Sequence, residues 1–238
     1  MHRIWERLQN SKLVLWGLIG ALGVGALIPL LLLLLSQRNQ AAAPSSPAAH
    51  QAIVTDVIGS MSRASLIGTS ATKGNPNAPI VLFKFSDFQC PYCAVAAGYM
   101  KEFVGDHEAD ILYVYKHFPL TRIHPEALPS AKAAWAAGQQ GEFWLYHDGL
   151  FVNQDRLGED LYLELAEAMF LDLERFNRDR ASDEAEAAIQ QDLELAQQLQ
   201  LQGTPSFVMN DLLIPGGAPL QLFEEVFDQI DAAIKAQG

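Results

Sequence analysis

Apolar and polar positions divide the chain into three stretches. From Leu13 to Leu35 no charged residue occurs, and the run ends in six consecutive leucines, Leu30 to Leu35. A hydrocarbon core is crossed by about 20 helical residues, so this segment is predicted to be a single transmembrane helix. Residues 36–73 follow a different pattern. Ala41 to Ala49 reads AAAPSSPAA, a proline-bearing spacer without apolar period that suits a tether, and then Ile53, Val57 and Met61 fall at helical spacing. From Gly74 to the C-terminus the chain breaks into punctuated elements.

In this third stretch the turn-rich Gly74–Asn75–Pro76–Asn77–Ala78–Pro79 leads into a β-rich run, Ile80 to Phe85. A helix is predicted after Cys90, with Pro91 in its first turn and good helix formers from Cys93 to Val104, then a strand over Ile111 to Lys116. Helices are predicted over Ala127 to Ala137, Phe143 to Phe151, Asp160 to Phe170 and Ser182 to Leu201. Two strands, Ser206 to Met209 and Leu212 to Ile214, are joined by Asn210–Asp211, and a helix from Leu220 to Ala236 closes the chain. The order implies one α/β layer structure over 74–238 with a helical insertion at about 125–202.

Charge adds a topology. Arg3, Arg7 and Lys12 precede the apolar run, whereas Arg38 stands alone after it. The lysine and arginine bias therefore places residues 1–12 in the cytoplasm and the folded part outside, periplasmic or lumenal, behind a single-pass anchor in the cytoplasmic membrane. A cleavable signal peptide is the competing reading, with Ala41–Ala42–Ala43 as a small-residue site, but secretory apolar regions run only about 7 to 15 residues. Gly17, Ala21 and Gly25 would let two membrane helices approach, yet glycine is frequent in such helices, and an oligomer is not expected. A formal charge of −12, from 28 acidic and 16 basic residues, argues against nucleic acid as a partner.

Only two cysteines occur, Cys90 and Cys93, too few for a disulfide framework or a four-cysteine zinc site. Two thiols at this spacing on the first turn of a helix can close a small disulfide or stand as a reduced pair. The unpaired N–H groups and positive dipole end of the helix start favour a thiolate at Cys90, which makes it the expected nucleophile. Cys93, one turn deeper, is positioned to resolve a mixed disulfide formed on Cys90. A structural disulfide, a zinc site completed by two further ligands, and two merely buried cysteines are the alternatives. No metal and no cofactor beyond the Cys90–Cys93 disulfide itself is expected. Farther along, Thr204–Pro205 stands directly before a predicted strand. A cis bond there would leave the Thr204 backbone free to pair with an extended polypeptide, against the plain alternative of a trans turn proline.

Four segments together carry a family resemblance: Ser86–Asp87–Phe88–Gln89–Cys90–Pro91–Tyr92–Cys93, Lys116–His117–Phe118–Pro119–Leu120, Gln140–Gly141–Glu142–Phe143–Trp144 and Gly203–Thr204–Pro205–Ser206–Phe207. From about Gly74 onward the chain resembles the DsbA-like thioredoxin-fold oxidoreductases. The resemblance implies a thioredoxin fold with an inserted helical domain. It implies Cys90 as attacking thiol, Cys93 as resolving thiol, Pro91 and Tyr92 as the dipeptide that tunes reduction potential, and Thr204–Pro205 as a cis-proline element facing them across a substrate groove. Six residues before Cys90, where many relatives carry an acidic residue, stands Lys84. A cation there would favour the thiolate and make the disulfide more oxidising; alternatively the side chain snorkels from a strand edge away from the sulfurs. His117, His124 and His147 read as packed or surface imidazoles, and Trp135, Trp144, Phe143 and Phe151 as helical core.

These readings favour a thiol:disulfide oxidoreductase that forms disulfides in exported proteins containing cysteines and is reoxidised by a membrane redox partner. An isomerase is the nearest rival. Isomerases of this broad class resemble V-shaped dimers with a separate dimerisation domain, for which residues 36–73 are too few. A reductase fed with electrons across the membrane and a non-catalytic holdase for unfolded chains complete the alternatives.

Overall fold

The computed structural model describes residues 43–236. The N-terminal arm expected in the cytoplasm, the predicted anchor Leu13–Leu35 and the first part of the tether lie outside the described residues. Among the described residues no helix is long and apolar enough to cross a membrane.

The described chain opens with α1 (Pro47–Ser60), α2 (Arg63–Ile67) and β1 (Thr72–Gly74), followed by β2 (Ile80–Ser86), α3 (Pro91–Asp106) and β3 (Ile111–His117). Five helices come next: α4 (Ala127–Gly138), α5 (Phe143–Val152), α6 (Glu159–Ala168), α7 (Leu173–Arg180) and α8 (Asp183–Gln198). The chain returns to the sheet in β4 (Ser206–Met209) and β5 (Leu212–Ile214) and ends in α9 (Leu220–Lys235). The sheet order is β1-β3-β2-β4-β5. β2 and β3 pair in parallel, Ile80 opposite Ile111 and Ser86 opposite His117, with α3 as the crossover such a pair needs. β4 runs antiparallel on the other side of β2, Leu82 opposite Met209.

Every residue of β2 and β3 is buried, which explains why both read as apolar runs rather than as alternating strands. On one face Ile80 and Leu82 pack with Ala96, Met100 and Phe103 of α3 and Phe223 and Phe227 of α9. On the other, Val81, Phe83 and Phe85 meet Val54 of α1, Leu66 of α2, Leu195 of α8 and Leu199 just past its end. A third core, built from α4 to α7, continues without a break into Phe88, Cys90 and Cys93. The mixed α/β fold with a helical insertion is the one the element order implied.

Local differences have local causes. The spacer is helical from Pro47, because the Ser46 side chain accepts the Ala49 N–H and proline suits the first turn. Gln51 of α1 then donates to the Asp211 carbonyl oxygen at 2.6 Å and accepts the Leu213 N–H at 3.0 Å, holding α1 against β5. Helices expected to reach Phe170 and Leu201 end at Ala168 and Gln198, where Phe170 (φ 56°) and Gln200 (φ 53°) turn left-handed. α7 was not expected.

Candidate active site

β2 ends at Ser86, and the chain turns through Asp87, Phe88 and Gln89 before α3 begins. Cys90 is the N-cap residue of α3, in an extended conformation (φ −77°, ψ 120°), and Pro91 follows at the first helical position. Proline costs nothing there, since its missing N–H would lie unpaired in any case. The Cys90 carbonyl oxygen accepts from the Cys93 N–H at 3.0 Å, so the two sulfurs stand on one turn as free thiols.

Both cysteines are buried, Cys90 4 % exposed and Cys93 0 %, which retains the expected ranking but leaves the nucleophile only a narrow opening. Their acidities diverge. Hydrogen bonding from the Cys93 side chain, opposed by burial and aided by Thr204 and by backbone donors of Cys93 and Tyr92, lowers the Cys90 pKa to about 5. Burial and the neighbouring Cys90 push the Cys93 thiol strongly upward. A pair with one thiolate and one protonated thiol at neutral pH is the arrangement that nucleophilic exchange requires.

The Thr204–Pro205 bond is cis. It brings the Thr204 carbonyl oxygen within 3.4 Å of the Cys90 sulfur, across 114 residues of chain, and Pro205 is buried directly before β4. Tyr92 is 74 % exposed and Val95, on the next turn of α3, is exposed as well. The sulfur thus sits between the cis-proline loop and open apolar side chains of α3. The structure unites Cys90, Pro91, Tyr92, Cys93, Thr204 and Pro205 in one place.

Lys84 belongs to the same place. β2 is the central strand, so its side chain has no edge from which to snorkel; it is 0 % exposed, and Nζ donates to the Cys93 carbonyl oxygen at 3.4 Å. The ammonium also lies 5.0 Å from the Phe151 ring centroid and 5.9 Å from that of Tyr115. Burial lowers its pKa to about 8 against the opposing fields of Cys93, Asp148 and Cys90.

The sequence reading gave no role to the residues that hold this turn. The Asp87 carboxylate accepts the Gln89 N–H (2.8 Å), the Leu120 N–H (2.9 Å) and His124 Nδ1 (2.7 Å), while its own N–H points at the Cys93 sulfur at 3.5 Å. Gln154, in the insertion, donates to the carbonyl oxygens of Phe88 (2.7 Å) and Cys90 (2.9 Å). Apart from the local contacts of Asp87 with Gln89 and Cys93, their partners are 33 to 66 residues away, beyond the reach of local pattern; only the position of Asp87 inside the cysteine motif signalled it. His117 and His147 are buried, as are Phe143 and Phe151, whereas Trp135 and Trp144 are half-buried. Among the described residues no group of three histidine, cysteine or carboxylate side chains could hold a metal ion.

Comparison with known proteins agrees with this geometry. A structure of a thioredoxin-like oxidoreductase from Silicibacter pomeroyi is 30 % identical and aligns with a TM-score of 0.63 over 72 % of this chain and 99 % of that one. The thiol-disulfide exchange protein alpha-DsbA2 of Wolbachia pipientis shares the fold at 21 % identity, with a TM-score of 0.70 over 78 % of this chain and 100 % of its own. Among curated proteins, a Na(+)/H(+) antiporter, NhaA 3 of Salinispora tropica, is 39 % identical over 138 residues, 58 % of this chain; the chain spans about a fifth of that relative's length. The family model described as Thioredoxin matches residues 67–232, the stretch that carries the sheet, the cysteine pair and the cis-proline loop. The chain belongs to the thioredoxin family.

Proposed function

We propose that the protein is a thiol:disulfide oxidoreductase that forms disulfides in exported proteins. The observation that carries this reading is the Cys90 sulfur at the start of α3, its pKa lowered to about 5, facing the Thr204 carbonyl oxygen of a cis-proline loop at 3.4 Å. A client thiolate attacks Cys90 of the disulfide, the Cys90–Cys93 bond breaks and its electron pair leaves on Cys93. A second client thiolate then displaces Cys90, which departs readily as a stable thiolate. Stabilising the reduced form in this way makes the pair oxidising, and Lys84, charged below about pH 8, adds to that effect, while Pro91 and Tyr92 complete the motif. The Thr204 backbone would receive the client as an extended strand. In this reading the domain lies outside the cytoplasmic membrane on the anchor Leu13–Leu35, and a membrane redox partner restores the disulfide.

Reductase and isomerase activities use the same chemistry at a lower potential. The reduction potential of the domain against glutathione decides among them: a value well above that of the glutathione couple supports the oxidase, and one below it favours a reductase. Trapping adds the second test. Cys93→Ala is expected to accumulate a disulfide adduct with clients on Cys90, and failure of both single-cysteine variants to trap any client would favour a holdase. Ion transport is not assigned, because the match to the antiporters covers only 21 % of the first of them.

A further inference from the structure

One charged side chain near the thiols has no counter-ion. Lys84 is fully buried, and among the described residues it makes no salt bridge; its one hydrogen bond is the 3.4 Å contact to the Cys93 carbonyl oxygen. A buried ammonium without a carboxylate is costly, and the anion that can form beside it is the Cys93 thiolate. The side chain is also walled off from solvent by the rings of Phe151 and Tyr115.

Those same two rings pack against His147 of α5, with centroid separations of 4.9 Å to Phe151 and 5.2 Å to Tyr115. The imidazole spans from interior to surface. Nδ1 lies 2.9 Å from the Asp148 carboxylate, which is 44 % exposed and paired with the exposed Lys101 at 3.2 Å. Nε2 is buried and has no protein partner, as are Ser86 Oγ and Tyr115 Oη nearby. Buried polar atoms are nearly always satisfied by protein or by ordered water; the Ser86 hydroxyl is close enough to act on both the Cys93 thiol and the Tyr115 hydroxyl, whereas His147 Nε2 is left as an open acceptor.

We infer that His147 and Asp148, together with Lys84, form the proton route between the buried Cys93 sulfur and solvent. The inference rests on thiol exchange at Cys90 and Cys93. When Cys93 resolves a mixed disulfide, the Lys84 ammonium first gives a proton to His147 Nε2, directly or through water, as Nδ1–H passes to Asp148 and on to bulk. The amine so formed takes the Cys93 S–H proton and is an ammonium again. The Cys93 thiolate attacks the Cys90 sulfur, the Cys90–Cys93 bond forms, and the bond from Cys90 to the client breaks. Its electron pair leaves on the client sulfur, which takes a proton from bulk: the cysteine pair is oxidised and the client sulfur reduced. In the opposite direction the same route delivers a proton to Cys93 as it leaves.

The neighbours of His147 support a relay rather than a fixed charge. Lys84 from β2 and His117 and Tyr115 from β3 surround it, Tyr113, Lys73 from β1 and Lys101 from α3 line the same small cavity, and Asp148 is its one acidic partner. Burial, with Lys84 and His117 acting the same way, lowers its pKa to about 4, which leaves a neutral ring able to accept at Nε2 and donate at Nδ1.

Stopped-flow mixing of the reduced protein with the aromatic disulfide 5,5′-dithiobis(2-nitrobenzoate) tests this. Attack by Cys90 releases one coloured thiolate and leaves a mixed disulfide; resolution by Cys93 releases a second in a separate phase. His147→Phe and Asp148→Asn are expected to leave the first phase within twofold between pH 5 and 8. They are expected to slow the second, by about tenfold for His147→Phe at pH 6, with a changed pH profile; His147→Gln, whose amide can bond like the imidazole but cannot pass a proton on, should slow it comparably. Absence of the first phase in the wild type would sink the exchange reading itself. A normal first phase with a second phase unchanged in Asp148→Asn and His147→Gln, or both phases slowed alike, would overturn the relay, and the exposed Asp148 variant decides the matter if His147→Phe fails to fold.

Discussion

Gly216 lies so close to Pro205 that a β-carbon on it would stand 1.8 Å from the proline carbonyl oxygen. No side chain fits, and the obstacle is backbone, which cannot swing aside. Gly216→Ala is therefore expected to displace the cis-proline loop from Cys90 and to cost about 1–3 kcal/mol, as overpacking does elsewhere. Client trapping by a Cys93→Ala background should fall severalfold while alkylation of Cys90 by iodoacetamide changes little. Unchanged stability in chemical denaturation would show that the loop yields.

The split between the two thiols gives a pH dependence with a definite sign. Alkylation of the reduced protein should follow a midpoint near pH 5 at Cys90, with Cys93 far slower throughout, as read by mass spectrometry of the labelled peptides. Cys90 is held at about 5 in the folded protein, against 9.0 for an ordinary thiol. Its contribution to the stability of the reduced form is present in full above pH 9 and lost as pH falls through 5. The disulfide form has no such group. The stability of reduced relative to oxidised protein should thus fall between pH 9 and 5; a flat difference would mean that the thiolate is not specially held.

Lys84→Met removes a charge from beside two sulfurs without emptying the space. The reduced form loses a favourable field, so the reduction potential should fall by about 30 mV, roughly tenfold in equilibrium with glutathione, and the Cys90 alkylation midpoint should rise. The oxidised protein should become more stable, because a buried cation has gone. An unchanged potential and midpoint would show that the ammonium is screened from the sulfurs.

Behind the sheet stands a second buried lysine with the opposite design. Lys116 Nζ bonds Asp192 Oδ1 (2.8 Å), Ser70 Oγ (2.8 Å) and the Ile67 carbonyl oxygen (3.0 Å), and Asp192 Oδ2 accepts the His117 N–H at 2.9 Å. This knot ties α2, β3 and α8 together. Asp192→Ala should cost about 3–5 kcal/mol by stranding the ammonium, and Lys116→Met with Asp192→Leu should recover most of it. Urea denaturation of the oxidised protein measures both.

Local chemistry was legible in the sequence to the extent that its partners are close along the chain. Cys90, Pro91 and Cys93 define their own helix start, and the strands Ser206–Met209 and Leu212–Ile214 fall where the apolar runs and the Asn210–Asp211 turn place them. The placement of Lys84 was not legible, because a lysine inside an apolar run is equally compatible with an edge and a centre; β4, more than 120 residues later, makes β2 central. Lys116 and Asp192 are separated by 76 residues. α7 escaped because its sequence, LERFNRDR, buries only Phe176 and carries no apolar stripe to read.

The Gln51 clamp on β5 has a consequence for how the domain meets extended chains. An outer strand of a sheet offers a ladder of unpaired donors and acceptors, on which a foreign strand can register and from which two copies can zip together. The Gln51 carboxamide imitates such a neighbour, engaging the Asp211 carbonyl and the Leu213 N–H, while Thr55 covers the Asp211 carboxylate. For any extended chain that border is already taken. The spacer-derived helix thereby acts as a selvedge, closing the sheet on the side away from β1; if the proposed function holds, an incoming strand is left the backbone beside the cysteines.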